Sequence, residues 1–182
     1  ARKPASTLLH LGPGLGNALA NVHNAKKGYA PMVNIVGDHA TYHLQYDAPL
    51  TSDIEGIAGP VSHWVHTSEA PEDIARDTAE AVRQAGKNQI ATLMLPADVS
   101  WSDNPNGPEN SVDIGTLPLA SNDRIEEAVK ILQSDGNCMI MIGGPEITKE
   151  IGLKASRLAR ACGARICTDV FPTRQARGAG TA

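Results

Sequence analysis

An α/β fold, a parallel sheet flanked by helices followed by the start of a second α/β unit, is what this 182-residue sequence predicts. Short apolar runs alternate with longer stretches of helical period, and each run is bounded by Gly, Pro or charge. The alternation is interrupted once, by a Pro- and Gly-rich stretch holding Pro105, Gly107, Pro108, Gly115 and Pro118. That stretch divides the chain into a first domain over 1–101, a linker over 102–121 and a second domain over 122–182.

In the first domain, Thr7 to Leu11, Met32 to Val36 and Ile90 to Leu95 read as strands. Leu15 to Lys27 and Glu72 to Lys87 read as helices. In the second of these Ile74, Thr78, Ala81, Val82 and Ala85 recur at three- and four-residue steps and form the expected core face, Pro71 suits the first turn, and Gly86 can stop it. His63 and His66 flank Trp64 in an alternating run and are expected to share one strand face. The acids from Glu69 to Asp77, like Glu126-Glu127, read as helix-start charges on solvated faces. In the second domain, Asn122 or Asp123 caps a helix carrying Ile125, Ala128, Val129 and Leu132. A strand over Met139 to Ile142, a turn at Gly143-Gly144, a helix to Ala161 and a strand from Ile166 to Val170 follow. Both ends look cut, because residue 1 is not methionine and the chain enters a core strand at once. The expectation is a fragment of a longer polypeptide with open sheet edges.

Composition narrows the function classes. Hydrophobic residues make up 41%, enough to bury a core at this length. A net charge of −4, no basic cluster beyond Lys26-Lys27 and 3% aromatics argue against a nucleic-acid partner. No apolar run reaches the roughly 18 residues of a membrane span, and the first ten residues lack a signal peptide's apolar core. Cys138, Cys162 and Cys167 lack metal-type spacing, and Cys138 and Cys167 sit in strand-like runs that favour small buried thiols. A reducing, cytoplasmic setting is the default expectation.

The segment with most chemical content is HLGPGLGN, His10 to Asn17, between the first strand and the first helix. Gly12 and Gly14 tolerate positive φ and Pro13 fixes its own, so the backbone can turn sharply and let a flat ring approach. Asn17 falls in the first helical turn, where its carboxamide can donate and accept beside unpaired N–H groups. An ordinary strand-to-helix turn is the alternative reading. A dinucleotide fingerprint is disfavoured because Asn17 stands where its last glycine belongs, and a phosphate-cradling P-loop fails for want of a Gly-Lys-Ser/Thr.

Over a longer span, GPGLGNALANVHNAKKGYAPMVNIVGD is followed by PVSHWV and then LMLPADVSW. This pattern resembles the thiamine-diphosphate enzymes typified by acetolactate synthase and benzoylformate decarboxylase. Their pyrimidine-binding domain carries GPG-x-x-N, then P-x-V-x-I-x-G, then a strand ending P-x-D-V. The resemblance covers Leu8 to Trp101, and a looser one from Asp123 to Asp169 is similar to the start of the family's central domain.

The resemblance implies thiamine diphosphate with Mg2+ as cofactor, and a carbanion formed on it that attacks a 2-oxo acid and lets carbon dioxide leave. It places Pro13, Gly14 and Asn17 against the pyrimidine ring. His10 matches the benzoylformate decarboxylase branch, which has an acid/base histidine there, and imidazole titrates near neutrality. The alternative for His10 is a structural hydrogen bond to a loop carbonyl. The family's activating glutamate lies upstream of the GPG turn and has no counterpart here, since residues 1 to 9 contain no acid. Its Gly-Asp-Gly motif for magnesium and diphosphate is also absent, so the Mg2+ ligands lie outside this chain and no metal-ligating residue is assigned within it.

Asp38, His39, His43 and Asp47 follow the second strand and should share a rim with His10. Asp38 and His39 are the candidate substrate-facing residues. A solvated loop, or a metal held by His39 and His43 at i and i+4, are the alternatives. Asp38 stands where the family often has Gln. The leading function is a carboligase of acetolactate synthase type acting on pyruvate or a related 2-oxo acid. A non-oxidative decarboxylase of benzoylformate decarboxylase type and a non-catalytic scaffold are the alternatives. The expected partners are the small-molecule oxo acid, the rest of the same polypeptide and further copies in a homo-dimer or homo-tetramer. FAD use is left open.

Overall fold

Parallel strands cannot be joined by hairpins, so each apolar run of this chain is followed by a crossover that returns it to the same end of the sheet. The computed structural model describes residues 3–109, 112–115, 118–134 and 136–178, without the Glu146 side chain. It divides into two units, Ala1–Gly115 and Thr116–Ala182. In the first, β1 (Ala5–His10), β2 (Met32–Asp38), β3 (Trp64–Thr67) and β4 (Ile90–Pro96) form a parallel sheet in the order β1-β2-β4-β3. The connections carry α1 (Leu11–Lys27), α2 (Ile54–Ala58) and α3 (Ile74–Ala85), and α4 (Ala97–Trp101) follows β4 directly. Two segments that the sequence left as loop, Thr41–Tyr46 and Gly59–Val61, are short 3-10 turns.

Alternation along the strands sorts the core onto two faces. On one, Val36 and Met94 pack with Leu15 of α1 and with Ile54 and Ala58 of α2. On the other, Val33, Ala91 and Leu93 meet Ala81 and Ala85 of α3. A line of polar groups crosses the first face. Thr7 Oγ1 donates to Asn34 Oδ1 at 2.7 Å, Asn34 Nδ2 donates to Thr92 Oγ1 at 3.2 Å, and Thr92 Oγ1 lies 2.7 Å from Ser62 Oγ. Asn34 and Thr92 are fully buried, and Thr7 and Asn34 are register partners, as are Asn34 and Thr92. A slip of one residue would leave these groups unpaired at roughly 1–3 kcal/mol each, so the ladder fixes strand register.

The structure corrects several sequence expectations. The helix expected from Leu15 begins at Leu11, immediately after β1. The left-handed residue is Leu11, at φ 56°, and neither Gly12 nor Gly14 has positive φ. Gly12 is bare for another reason: a Cβ there would collide with Ser52. The buried stripe of α3 contains Asp77, Ala81 and Ala85, whereas Ile74, Thr78 and Val82 are only partly covered. Asp77, expected on a solvated face, is 4% exposed because its carboxylate accepts from Ser68 Oγ at 2.9 Å and from Arg76, and lies 3.2 Å from His66 Nε2.

His63 and His66 do not share a face. Trp64 and His66 do, with ring centroids 5.4 Å apart. His63 precedes β3; its ring Nδ1 accepts from Ile90 N–H at 3.0 Å while its backbone N–H donates to Ile90 O, which aligns β3 with β4. Partial burial, and then the nearby Lys26 ammonium, lower the His63 pKa below the ordinary 6.5.

In the second unit, α5 (Asn122–Leu132) is capped by Ser121, whose side chain accepts from Arg124 N–H, one residue before the expected cap. β5 (Met139–Ile142) pairs in parallel with β7 (Arg165–Thr168), and β6 (Glu146–Ile147) with β8 (Arg174–Gln175). Between them α6 (Lys149–Cys162) starts at a Thr148 cap and ends at Gly163 with φ 67°. The apolar stripe expected to bury α5 is open, with Ile125 and Val129 exposed, because two-stranded sheets offer little apolar surface to cover it. Cys138 and Cys167 are likewise only partly buried.

Candidate functional site

Parallel α/β sheets present ligand sites at the carboxyl ends of their strands, where loops and helix starts converge. Here β1, β2 and β4 end around a cleft of about 450 Å³. β1 delivers His10, register-paired with Gly37 of β2, and Leu11 follows it into the wall. β2 delivers Asp38 and His39, and the 3-10 turn after it adds Tyr42 and His43. β4 and α4 close the other side with Leu95, Ser100 and Trp101. The buried Leu11 at φ 56° adopts the conformation usually left to glycine, so local strain sits at the start of the cleft wall.

Three sequence-predicted residues, His10, Asp38 and His39, therefore line one cleft. Asp38 Oδ1 accepts from the His39 N–H at 2.7 Å, which fixes the backbone entering the turn. The His39 and His43 rings are 5.4 Å apart and tilted by 52°, and His43 in turn meets Tyr46 at 5.7 Å, so the two imidazoles of the wall are in tilted contact and backed by a phenol ring. Nε2 of His39 is shielded from water and has no hydrogen-bond partner among the described residues. A buried polar atom left unpaired points to a ligand group that completes it. Among the described residues no three His, Cys, Asp or Glu side chains are grouped to hold a metal ion, and His39 and His43 approach face to tilted face.

The other three, Pro13, Gly14 and Asn17, do not line this cleft. They lie in the first turns of α1, with Pro13 and Asn17 exposed and Gly14 half-buried. Spacing of four residues puts Pro13 and Asn17 on the same helix face. Nothing stands within 4 Å of the place a Cβ would take on Gly16 between them. The face is open, with the Asn17 carboxamide at its side, and leaves room for a flat heterocycle.

Sequence reasoning gave no role to Tyr42, Ser100, Trp101 or Asp98. Asp98 was visible in the motif LPADV, and its partner shows what it does. Thr41 donates to it twice, from N–H to Oδ1 at 3.0 Å and from Oγ1 to Oδ2 at 2.5 Å. The Thr41 hydroxyl, and then its backbone N–H, hold the Asp98 carboxyl below the usual carboxylate range. A second groove, of about 460 Å³, runs beside α3 and is mostly apolar, with Thr78, Asn104 and Glu109 among its lining residues.

Residues 1–65 match the family described as thiamine pyrophosphate enzyme, N-terminal TPP binding domain. Residues 1–65 thus carry the thiamine pyrophosphate enzyme N-terminal domain. Over 183 aligned residues it is 49% identical to a Mycobacterium tuberculosis protein provisionally named acetolactate synthase large subunit IlvX, covering 99% of this chain and 35% of the relative. The acetolactate synthase large subunit of Corynebacterium glutamicum is 27% identical over 88% of this chain and 26% of its own length. The chain thus spans between about a quarter and a third of the curated relatives it matches.

Two solved structures share the fold of this thiamine pyrophosphate enzyme domain and the segment after it. A thiamine diphosphate-dependent 4-hydroxybenzoylformate decarboxylase of Rhodococcus jostii RHA1 superposes with a TM-score of 0.69 at 20% identity, over 92% of this chain and 33% of that one. A provisionally described thiamin diphosphate-dependent enzyme of Mycobacterium smegmatis gives 0.74 at 22%, over 93% and 33%. No described helix is long and apolar enough to cross a membrane.

Proposed function

We propose that the full-length protein is a thiamine-diphosphate-dependent carboligase of acetolactate synthase type, acting on pyruvate or a related 2-oxo acid in the cytoplasm. The observation that carries this reading is the cleft at the strand ends, where His10, Asp38 and the unpaired Nε2 of His39 meet a few residues from the open Pro13 and Asn17 face. The similarity to acetolactate synthase large subunits supports the same chemistry.

Thiamine diphosphate, when bound, supplies the carbanion and electron sink that release carbon dioxide from a 2-oxo acid. This chain's residues do the rest. Pro13, Gly14 and Asn17 would hold the pyrimidine half of the cofactor, with the Asn17 carboxamide as the polar group able to hydrogen-bond it. His39 Nε2 hydrogen-bonds the oxo acid, with Asp38 holding the His39 backbone. His10, exposed at the mouth of the cleft, gives or takes a proton at the substrate oxygen or carbon. The Mg2+ ligands come from the remaining polypeptide, and a homo-dimer or homo-tetramer would cover the open face of α1.

A second reading, a non-oxidative decarboxylase of benzoylformate type, is favoured by the accessible His10, which could supply the proton that an aldehyde product requires. Product analysis with the full-length protein separates the two. Acetolactate or acetoin from pyruvate supports ligation, and an aromatic aldehyde from benzoylformate supports decarboxylation. H10A should lower turnover about 100-fold, within the usual range for a lost acid/base group, with cofactor affinity little changed. Unchanged turnover would remove His10 from the mechanism, and failure to bind thiamine diphosphate at all would favour the scaffold.

A further inference from the structure

The two walls of the cleft belong to segments far apart in sequence, and one carboxylate ties them. The 3-10 turn Thr41–Tyr46 carries Tyr42 and His43, whose ring makes a tilted contact with His39, while α4 carries Ser100 and Trp101. Its N-cap residue, Ala40, has no side chain that can satisfy the first N–H groups. Asp98 of α4 supplies the missing cap from 57 residues away, accepting from both the N–H and the hydroxyl of Thr41. The other described hydrogen bonds of this turn are local, from His43 N–H to Ala40 O, Asp47 N–H to Leu44 O and Gln45 Nε2 to Tyr42 O. Asp98 itself is held at the start of α4, with Ser102 Oγ donating to its carbonyl at 2.7 Å.

We propose that Asp98 is a positioning residue that fixes the His39–His43 wall against α4 and so sets the affinity of the cleft for its 2-oxo acid. The proposal rests on the functional reading above. Without the clamp, the turn keeps only short-range bonds among the described residues, and the ring wall can move away from Trp101 while the cofactor face on α1 is untouched.

The test uses the full-length protein. D98A should raise KM for the oxo acid about tenfold, the loss expected of one good hydrogen bond's worth of positioning, with kcat within about threefold and thiamine diphosphate affinity unchanged. T41V should give a smaller increase, because the N–H remains, and T41S should keep the wild-type KM. D98A and T41V combined should be no worse than D98A alone. Amide hydrogen exchange over residues 41–46 should quicken in D98A and not in T41S. An active wild type whose D98A variant keeps its KM, or whose D98A loses cofactor affinity and KM together, would overturn the clamp alone. A wild type inactive on every 2-oxo acid would overturn the functional reading and the clamp's role in substrate binding with it.

Discussion

Asn34 lies in the middle of β2 and His39 five residues on, just past its end, and the same strand treats their polar atoms in opposite ways. Within the sheet, Asn34 is fully buried and paired on both sides, to Thr7 and Thr92. At the rim, His39 keeps a shielded Nε2 with no partner, beside a strained Leu11. Stability concentrates where every buried donor and acceptor is met, and unmet groups mark where the protein expects something else to bind. The body of the sheet is thus a scaffold of fixed register, and its carboxyl rim is the surface left incomplete.

The largest expected break in that contrast comes from Asn34→Ala. It removes the centre of the ladder, strands the Thr7 hydroxyl and leaves a cavity, and should destabilise the protein by about 3 kcal/mol in urea unfolding. His39→Ala, five residues on, removes an unpaired atom and should cost less than about 1 kcal/mol. Equal losses at the two positions would dissolve the distinction between body and rim.

A smaller effect comes from His63, which extends the body by joining β3 to β4 through Ile90. Its pKa is lowered in the folded protein, so the unfolded chain binds the proton more readily. Its contribution is fully present above the ordinary value of 6.5 and is lost as pH falls below 6.5 through the folded pKa. Asn at this position can offer Oδ1 to the Ile90 N–H without titrating. H63N should therefore cost no more than about 1 kcal/mol at pH 7.5, reduced by the ring's exposure, and should flatten stability between pH 7 and 5, in the range where histidine titrates. An unchanged slope would mean that the acid sensitivity lies elsewhere.

Much of this was legible before the structure. The apolar runs that became β1, β2 and β4 are short and bounded by Gly, Pro or charge; the family resemblance named His10 of the cleft, and position after the second strand named Asp38 and His39. What escaped the sequence depends on distant partners. Asp77 reads as a solvated helix acid until Ser68 and His66 are seen to surround it. Asp98 shows no role until Thr41, on another strand's loop, comes within 2.5 Å. The turn after β1 was assigned to glycine on backbone freedom, yet tertiary packing put Leu11 in the left-handed region and used Gly12 for room beside Ser52. Periodicity identified α5 but could not say whether its apolar face would find cover.

The account's central claim is that this rim and the adjoining α1 face divide one site between oxo acid and cofactor. Calorimetric titration of the full-length protein tests it most directly, with thiamine diphosphate and Mg2+ first and a non-decarboxylating 2-oxo acid analogue second. The account predicts that N17A weakens cofactor binding about tenfold and leaves the analogue's affinity for the loaded protein alone, whereas H39A does the reverse, each change being the worth of one hydrogen bond. Unchanged binding of both ligands in both variants would contradict it.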